Sequence, residues 1–131
     1  MPHKDLKRIL LVEDEPDIRT IVSVALGDIG GFEIEVCNSG HEVLEVIQAC
    51  QPDLLILDVM MPVMDGPTTL QEIRKIAAFK ELPVIFMTAK VQAHEVNEYL
   101  ALGVLGVISK PFDPVTLPQE IREIWNSPEL V

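Results

Sequence analysis

The sequence predicts one α/β domain, built as a doubly wound sheet of five parallel strands between two layers of helices. Apolar runs of strand length alternate five times with longer segments whose apolar residues recur at helical spacing. Repeated alternation of this kind favours a parallel sheet that helices cover on both faces, which makes three layers. A chain of 131 residues has room for a single hydrophobic core. We therefore expect one domain over residues 1–131, with its core at about 7–126.

The apolar runs differ in a way that predicts the order of the strands. Residues 9–12 and 53–58 are almost continuously apolar, as in strands buried on both faces. Residues 32–36 alternate between polar and apolar, as in an exposed edge strand. The last two strands are predicted at 83–87 and 104–108. With right-handed crossovers, central first and third strands and an edge second strand give the order 2-1-3-4-5.

Proline, glycine and aspartate mark the ends of the predicted helices. The first helix is expected to begin near Pro16, the third to reach Ala77, and the fourth to stop at Gly103. Asp113 is the predicted cap of the last helix. Pro118 falls inside that helical pattern and lacks a backbone donor, so we expect a bend or a shifted start there.

Charge and hydropathy exclude several classes of protein. A net charge of −11 argues against nucleic acid as a direct partner, because the polyanion would be repelled. The apolar runs are too short to span a membrane, and residues 1–8 lack the apolar region of a secretory signal. Cys37 and Cys50 are too few for a disulfide framework and are expected at core or boundary positions. We expect a soluble, cytoplasmic protein with no membrane partner.

Polar side chains stand where four of the predicted strands end. Glu13 and Asp14 follow the first strand, Asp58 ends the third, Thr88 follows the fourth and Lys110 follows the fifth. Ligands of parallel sheets bind at this edge, where neighbouring strands lie about 5 Å apart. Like charges at that distance raise a pKa or recruit a cation. Oxygen ligands without His or Cys favour Mg²⁺ (or Mn²⁺) and disfavour zinc.

These residue types also fit the chemistry of phosphoryl transfer. A carboxylate such as Asp58 can act as a nucleophile, while Thr88 and Lys110 can donate hydrogen bonds to a phosphoryl oxygen. Taken singly, each has an ordinary structural interpretation, such as a helix cap, a β-branched strand residue or a solvated charge. Their joint placement at successive strand ends favours a functional site.

Four stretches of the chain together resemble the response-regulator receiver family. They are residues 11–16 (LVEDEP), 57–66 (LDVMMPVMDG), 87–90 (MTAK) and 109–112 (SKPF). The resemblance covers essentially the whole chain in order and spacing, and it implies a flavodoxin-like fold. It also implies a phosphorelay function in which Asp58 accepts a phosphoryl group from a histidine kinase or histidine phosphotransfer protein. The chain would then be a switch whose only chemistry is on itself, rather than an enzyme.

The resemblance further implies a role for each residue around Asp58. Asp14 and Asp58 would bind Mg²⁺ directly, Glu13 would bind it through water, and the backbone carbonyl of Met60 would be another ligand. Thr88 would be the switch hydroxyl and Lys110 would contact the phosphoryl group.

The resemblance also bears on the region that follows the fifth strand. The Lys110–Pro111 peptide bond would be cis, although that isomer is uncommon. Receivers often carry an aromatic residue three positions before this lysine, where this chain has Val107. The usual aromatic switch is therefore in question. Met60 and Lys90 stand at positions that tune dephosphorylation in the family. Because Met60 is apolar, we expect the phosphoryl lifetime to depend on access.

Three other functions are compatible with parts of this pattern. A receiver fold could serve only as a docking surface, although the complete set of rim residues argues against that. A magnesium-dependent hydrolase with Asp58 as nucleophile would need an acid where Met60 stands. A flavin-binding module would need a phosphate loop after the first strand, where residues 13–15 are all acidic. The sequence does not identify the kinase or the output partner, and it leaves a homodimer open.

Overall fold

The computed structural model describes residues 5–127 of the chain. Strands and helices alternate along this part, as the sequence predicts. The elements are β1 (Arg8–Val12), α1 (Pro16–Ser23), a π-helical continuation (Val24–Ile29), β2 (Glu33–Cys37), α2 (Gly40–Cys50), β3 (Leu54–Asp58), α3 (Gly66–Arg74), a 3₁₀ turn (Ala77–Phe79), β4 (Val84–Thr88), α4 (Ala93–Ala101), β5 (Gly106–Ser109) and α5 (Leu117–Asn126). Among the described residues, no helix has the length and apolar character needed to cross a membrane.

The five strands form one parallel sheet in the order β2-β1-β3-β4-β5, which confirms the predicted topology. Their ends are in close register at the carboxyl edge. Val12 pairs with Leu57, Asp58 pairs with Met87, and the residue after Met87 pairs with Ser109. Residues that follow β1, β3, β4 and β5 are therefore brought to one rim.

Helices cover both faces of the sheet, so the fold has the three layers expected. Alternate residues of the central strands point to opposite faces, which separates two apolar clusters. One cluster joins the sheet to α1 and α5, and includes Leu26 and Trp125. The other joins it to α2 and α3, and includes Ile47 and Ile73. Cys37 and Cys50 are buried free thiols, and burial raises their pKa to about 12 and 11.

Helix starts follow the sequence signals closely. Pro16 lies in the first turn of α1, where its missing N–H is not needed. Ser39 caps α2 by accepting a hydrogen bond from the Glu42 N–H at 3.1 Å. The Asp65 side chain caps α3 by accepting from the Thr68 N–H at 2.9 Å.

Two predicted boundaries are displaced. Helix α3 ends at Arg74 rather than reaching Ala77, because Ile76 adopts an extended conformation (φ −83°, ψ 119°) before the 3₁₀ turn. Strand β5 begins at Gly106, although the apolar pattern starts at Val104. Val104 is buried although it lies outside the strand, so its apolar side chain indicates burial but not strand pairing.

The last helix begins later than its predicted cap. Asp113 caps a separate turn, in which its Oδ1 accepts from the Val115 N–H at 2.9 Å and its carbonyl accepts from the Leu117 N–H at 2.9 Å. Helix α5 then starts at Leu117, which puts Pro118 in the first turn. The shifted start expected from Pro118 is confirmed, and Asp113 as the cap of α5 is corrected.

Candidate functional site

Three carboxylates meet at the carboxyl edge of the sheet. Glu13 and Asp14 lie in the turn after β1, and Asp58 is the last residue of β3. One oxygen from each of the three lies within 4.8 Å of the others. The side chains of Glu13 and Asp58 are only 0% and 3% exposed. Burial of two acids side by side is unfavourable unless a cation or a proton compensates the charge.

Lys110 supplies part of that compensation. Its Nζ lies 2.8 Å from Glu13 Oε1 and 3.1 Å from Asp58 Oδ1, so one ammonium group bridges the two buried acids. The position of Lys110 after the fifth strand predicts its place at the rim, but not its contact with Glu13, which is the shorter of the two. A count of charges at the rim could have indicated it, since a single ammonium group faces three carboxylates.

The pKa of Asp58 reflects this crowding. Burial, and then the negative charge of Glu13, raise it from 3.8 to about 7, although Lys110 acts in the opposite direction. Burial also lowers the pKa of Lys110, but hydrogen bonding to Glu13 and the charge of Asp58 outweigh that effect and raise it. Lys110 therefore stays charged, whereas Asp58 gains or loses its proton near neutral pH.

The residues present fit a divalent cation. Three carboxylates and one ammonium group sum to a formal charge of −2, which an ion such as Mg²⁺ would neutralise. Hard oxygen donors are the ligands that Mg²⁺ prefers. No His or Cys belongs to the cluster within the described residues, so the donor set does not favour zinc.

The loop after β3 is shaped around Asp58. The Met60 N–H donates to Asp58 Oδ1 at 3.3 Å, and the Gly66 N–H donates to the Val59 carbonyl at 2.9 Å. A Cβ atom on Gly66 would lie 2.7 Å from the Asp58 carbonyl oxygen. Only glycine therefore fits at this position.

Thr88 and Lys110 lie beside Asp58 on the next strands. Thr88 ends β4 and is 1% exposed, and its hydroxyl oxygen accepts from the Lys90 N–H at 3.1 Å. The Lys110 N–H donates to the Thr88 carbonyl at 2.9 Å. The Lys110–Pro111 peptide bond is cis, the isomer that the resemblance implies.

The region around Val107 contains an aromatic pair. Val107 is partly buried and pairs in register with the fully buried Phe86. The Phe86 ring packs edge-to-face against Tyr99 of α4, with centroids 5.5 Å apart. Phe112 is partly buried and packs against the apolar cluster on the α1–α5 face.

Sequence reasoning missed one residue near the acids. Arg19 of α1 reaches back so that its Nη1 donates to the carbonyl oxygens of Glu13 and Asp14, at 2.9 and 3.0 Å. Helical side chains point toward the amino end of their helix. An arginine just inside the predicted first helix was therefore the available signal.

Known proteins share this sequence pattern and this fold. Residues 9–122 match the family described as the response regulator receiver domain. The chain belongs to this family. Relatives include Response regulator Rre1 of Synechocystis sp., which is 37% identical over 116 residues, and the Probable transcriptional regulator ycf27 of Cyanophora paradoxa, 37% identical over 123 residues. These alignments cover 88% and 94% of the receiver chain but only 50% of each relative, so the chain spans about half their length.

Solved structures agree with the assignment to receiver domains. The chemotaxis response regulator CheY4 of Vibrio cholerae superimposes with a TM-score of 0.83 at 32% identity, covering 92% of this chain and 99% of that one. A putative response regulator from Chloroflexus aurantiacus gives 0.81 at 28% identity, covering 92% and 98%. The resemblance noted in the sequence and the predicted receiver fold are both confirmed.

Proposed function

We propose that this receiver acts in a phosphorelay, in which Asp58 accepts a phosphoryl group in the presence of Mg²⁺. One observation carries the proposal. Asp58 is buried at the rim, where its carboxylate lies beside Glu13 and Asp14 and in contact with Lys110. Membership of the response regulator receiver family supports the same role.

The chemistry begins at the Asp58 carboxylate. An oxygen of Asp58 attacks the phosphorus of a phosphohistidine on a histidine kinase or phosphotransfer protein. The new oxygen–phosphorus bond forms as the phosphorus–nitrogen bond breaks, and the released imidazole nitrogen takes up a proton from water. One phosphoryl group thus passes from the donor histidine to Asp58, and no external oxidant or energy source is needed.

The surrounding residues stabilise the charge that develops on the phosphoryl oxygens. Asp14, Asp58 and the Met60 carbonyl would hold Mg²⁺, with Glu13 acting through water, and the ion would neutralise phosphoryl charge. The Lys110 ammonium group, already 3.1 Å from Asp58 Oδ1, would turn to a phosphoryl oxygen.

Thr88 would carry the signal away from the site. Its hydroxyl would turn to donate a hydrogen bond to the phosphoryl group, and so stop accepting from the Lys90 N–H. Releasing that bond frees the start of the segment between β4 and α4, and changes the surface that a protein partner contacts. With Val107 in place of an aromatic residue, this backbone route would not need a ring to rotate inward.

The phosphoryl group would be lost at a rate set by water access. Met60 is apolar and 58% exposed, and offers no side chain to orient water at Asp58. An asparagine at this position would supply such a group and speed the decay of the phosphorylated form. Unchanged decay of Met60→Asn, followed by intact mass, would refute this mechanism.

Labelling with a small phosphodonor tests the proposed function directly. The chain is incubated with phosphoramidate or acetyl phosphate and Mg²⁺, and intact mass is expected to report one added phosphoryl group. Asp58→Asn and chelation of Mg²⁺ should each abolish the addition. Asp53→Asn, at the other end of β3, is the matched control and should still be labelled. Labelling that persists in Asp58→Asn would disprove the assignment of the site.

A further inference from the structure

Arg19 contacts the backbone of the acidic turn rather than its carboxylates. A single guanidinium nitrogen, Nη1, donates to two successive carbonyl oxygens, those of Glu13 and Asp14. These carbonyls belong to the turn between β1 and α1, whose two side chains form most of the acidic cluster. The Arg19 backbone N–H also donates to the Glu15 carbonyl at 3.0 Å, which joins the same turn to the helix.

We propose that Arg19 is a positioning residue for the Mg²⁺ site, and this inference rests on the proposed function. By holding both carbonyls on the helix side, Arg19 fixes the peptide planes of the turn and so aims the Glu13 and Asp14 carboxylates at the rim. Groups that orient the ligands of a metal usually affect its affinity strongly, without touching the ion.

The choice of acceptor atoms distinguishes this role from charge neutralisation. A cation that paired with the carboxylates would compete with Mg²⁺ for their oxygens, as Lys110 does for Glu13 and Asp58. Arg19 donates instead to backbone carbonyls, and so stabilises the turn without occupying a metal ligand. Its positive charge near the site repels Mg²⁺, so a role through charge alone predicts tighter metal binding when Arg19 is replaced.

The chain offers a matched control in Arg74. Its Nη1 also donates to two backbone carbonyls, those of Phe79 and Leu82, at 2.9 and 2.8 Å. These carbonyls lie in the segment before β4, at the opposite edge of the sheet. Both arginines are half-buried, so the two contacts differ mainly in distance from the acidic cluster.

Titration of the full chain with Mg²⁺ by calorimetry tests the inference without any phosphoryl transfer. Arg19→Gln should weaken Mg²⁺ affinity about tenfold. Arg19→Lys, which replaces the guanidinium with another cationic donor, should bind Mg²⁺ more tightly than Arg19→Gln and less tightly than the wild type. Arg74→Gln should lower the thermal stability measured in chelator and leave Mg²⁺ affinity unchanged.

A second measurement separates positioning from loss of the fold. In phosphoramidate labelling, Arg19→Gln should need more Mg²⁺ to reach half its maximal rate, while its rate at saturating Mg²⁺ should approach that of the wild type. Unchanged or tighter Mg²⁺ binding by Arg19→Gln would overturn the inference and leave the proposed function standing. Absence of Mg²⁺ binding by the wild type would overturn both.

Discussion

The two ends of strand β3 each carry an aspartate, and the two side chains are used in opposite ways. Asp53, just before the strand, accepts hydrogen bonds from the backbone N–H groups of Lys7 and Arg8 at 3.0 and 2.9 Å. Asp58, the last residue of the strand, lies against another buried acid, and its pKa is raised to about 7. Asp53 is held by two backbone hydrogen bonds, whereas burial beside Glu13 disfavours the anionic form of Asp58.

The difference shows that the two aspartates have opposite effects on the stability of the folded domain. An ionised carboxylate that accepts two backbone N–H groups adds stability. A buried carboxylate beside another acid lowers it unless a cation or proton is bound. The apolar strand between them, from Leu54 to Leu57, is fully buried and holds both ends in place.

Removing the ammonium group at the rim should have the largest effect. In Lys110→Met, the buried Glu13 and Asp58 carboxylates lose the cation that both contact. We expect a loss of about 3 kcal/mol of unfolding free energy in chelator at about pH 8. Urea denaturation measures it, and acidification or Mg²⁺ should restore part of the loss.

A surface ion pair provides the control for that substitution. Lys75 contacts Glu72 at 2.8 Å, but the two side chains are 71% and 37% exposed. Lys75→Met should therefore cost less than about 1 kcal/mol. Equal losses for the two variants would contradict the claim that Lys110 compensates buried charge.

Amide substitution at the two ends of β3 should change stability in opposite directions. In chelator near neutral pH, Asp58→Asn should raise the unfolding free energy by about 1–3 kcal/mol, because it removes a buried negative charge beside Glu13. Asp53→Asn should lower it by about 1–2 kcal/mol, because it weakens two hydrogen bonds to the backbone. Paired urea denaturation curves decide the matter. The contrast fails if both variants are destabilised to a similar extent.

The same contrast predicts a pH dependence with a definite sign. The pKa of Asp58 rises from 3.8 to about 7 on folding, so the folded protein binds the proton more tightly. The stability that this tighter proton binding contributes is complete below about pH 4 and is lost as the pH rises to about 7. In chelator, the difference in unfolding free energy between Asp58→Asn and the wild type should therefore grow in favour of the variant as the pH rises across this interval. An advantage that is constant with pH would count against the raised pKa.

The positions of the acidic residues could largely be predicted from the sequence, because the pattern of apolar residues shows where strands end. The continuous apolar runs before Asp14 and Asp58 place both residues at the carboxyl edge of a parallel sheet, whatever the details of packing. Strand order followed from which runs are buried on both faces. The order of β1, β2 and β3 confirms that argument.

Contacts made across the fold by long side chains were not accessible in this way. The bridge from Lys110 to Glu13 spans 97 residues and depends on the rotamers of two flexible side chains. The double hydrogen bond of Arg19 depends on carbonyl orientations in a turn, which apolar periodicity does not encode. The late start of α5 has a similar cause, since Asp113 can cap either a turn or a helix and Pro118 fits only a first turn.

The smallest expected effect concerns Val63, in the loop that follows Asp58. Val63 has φ of +68°, and the Met64 N–H donates to the Pro62 carbonyl at 2.7 Å, which makes Val63 the centre of a γ-turn. A β-branched residue is strained in this conformation, whereas glycine is not. Val63→Gly should therefore raise the unfolding free energy by up to about 1 kcal/mol, despite the added freedom of the unfolded chain.

A second exposed valine separates strain relief from a general effect of glycine. Val115 is 70% exposed and Val63 is 94% exposed, but only Val63 has positive φ. Val115→Gly should lower stability by about 0.5–1 kcal/mol. A loss in both variants would show that the turn stores no strain. If Val63→Gly is stabilised but binds Mg²⁺ more weakly, the strained turn serves to hold the Asp58 loop in place, as backbone strain at functional sites often does.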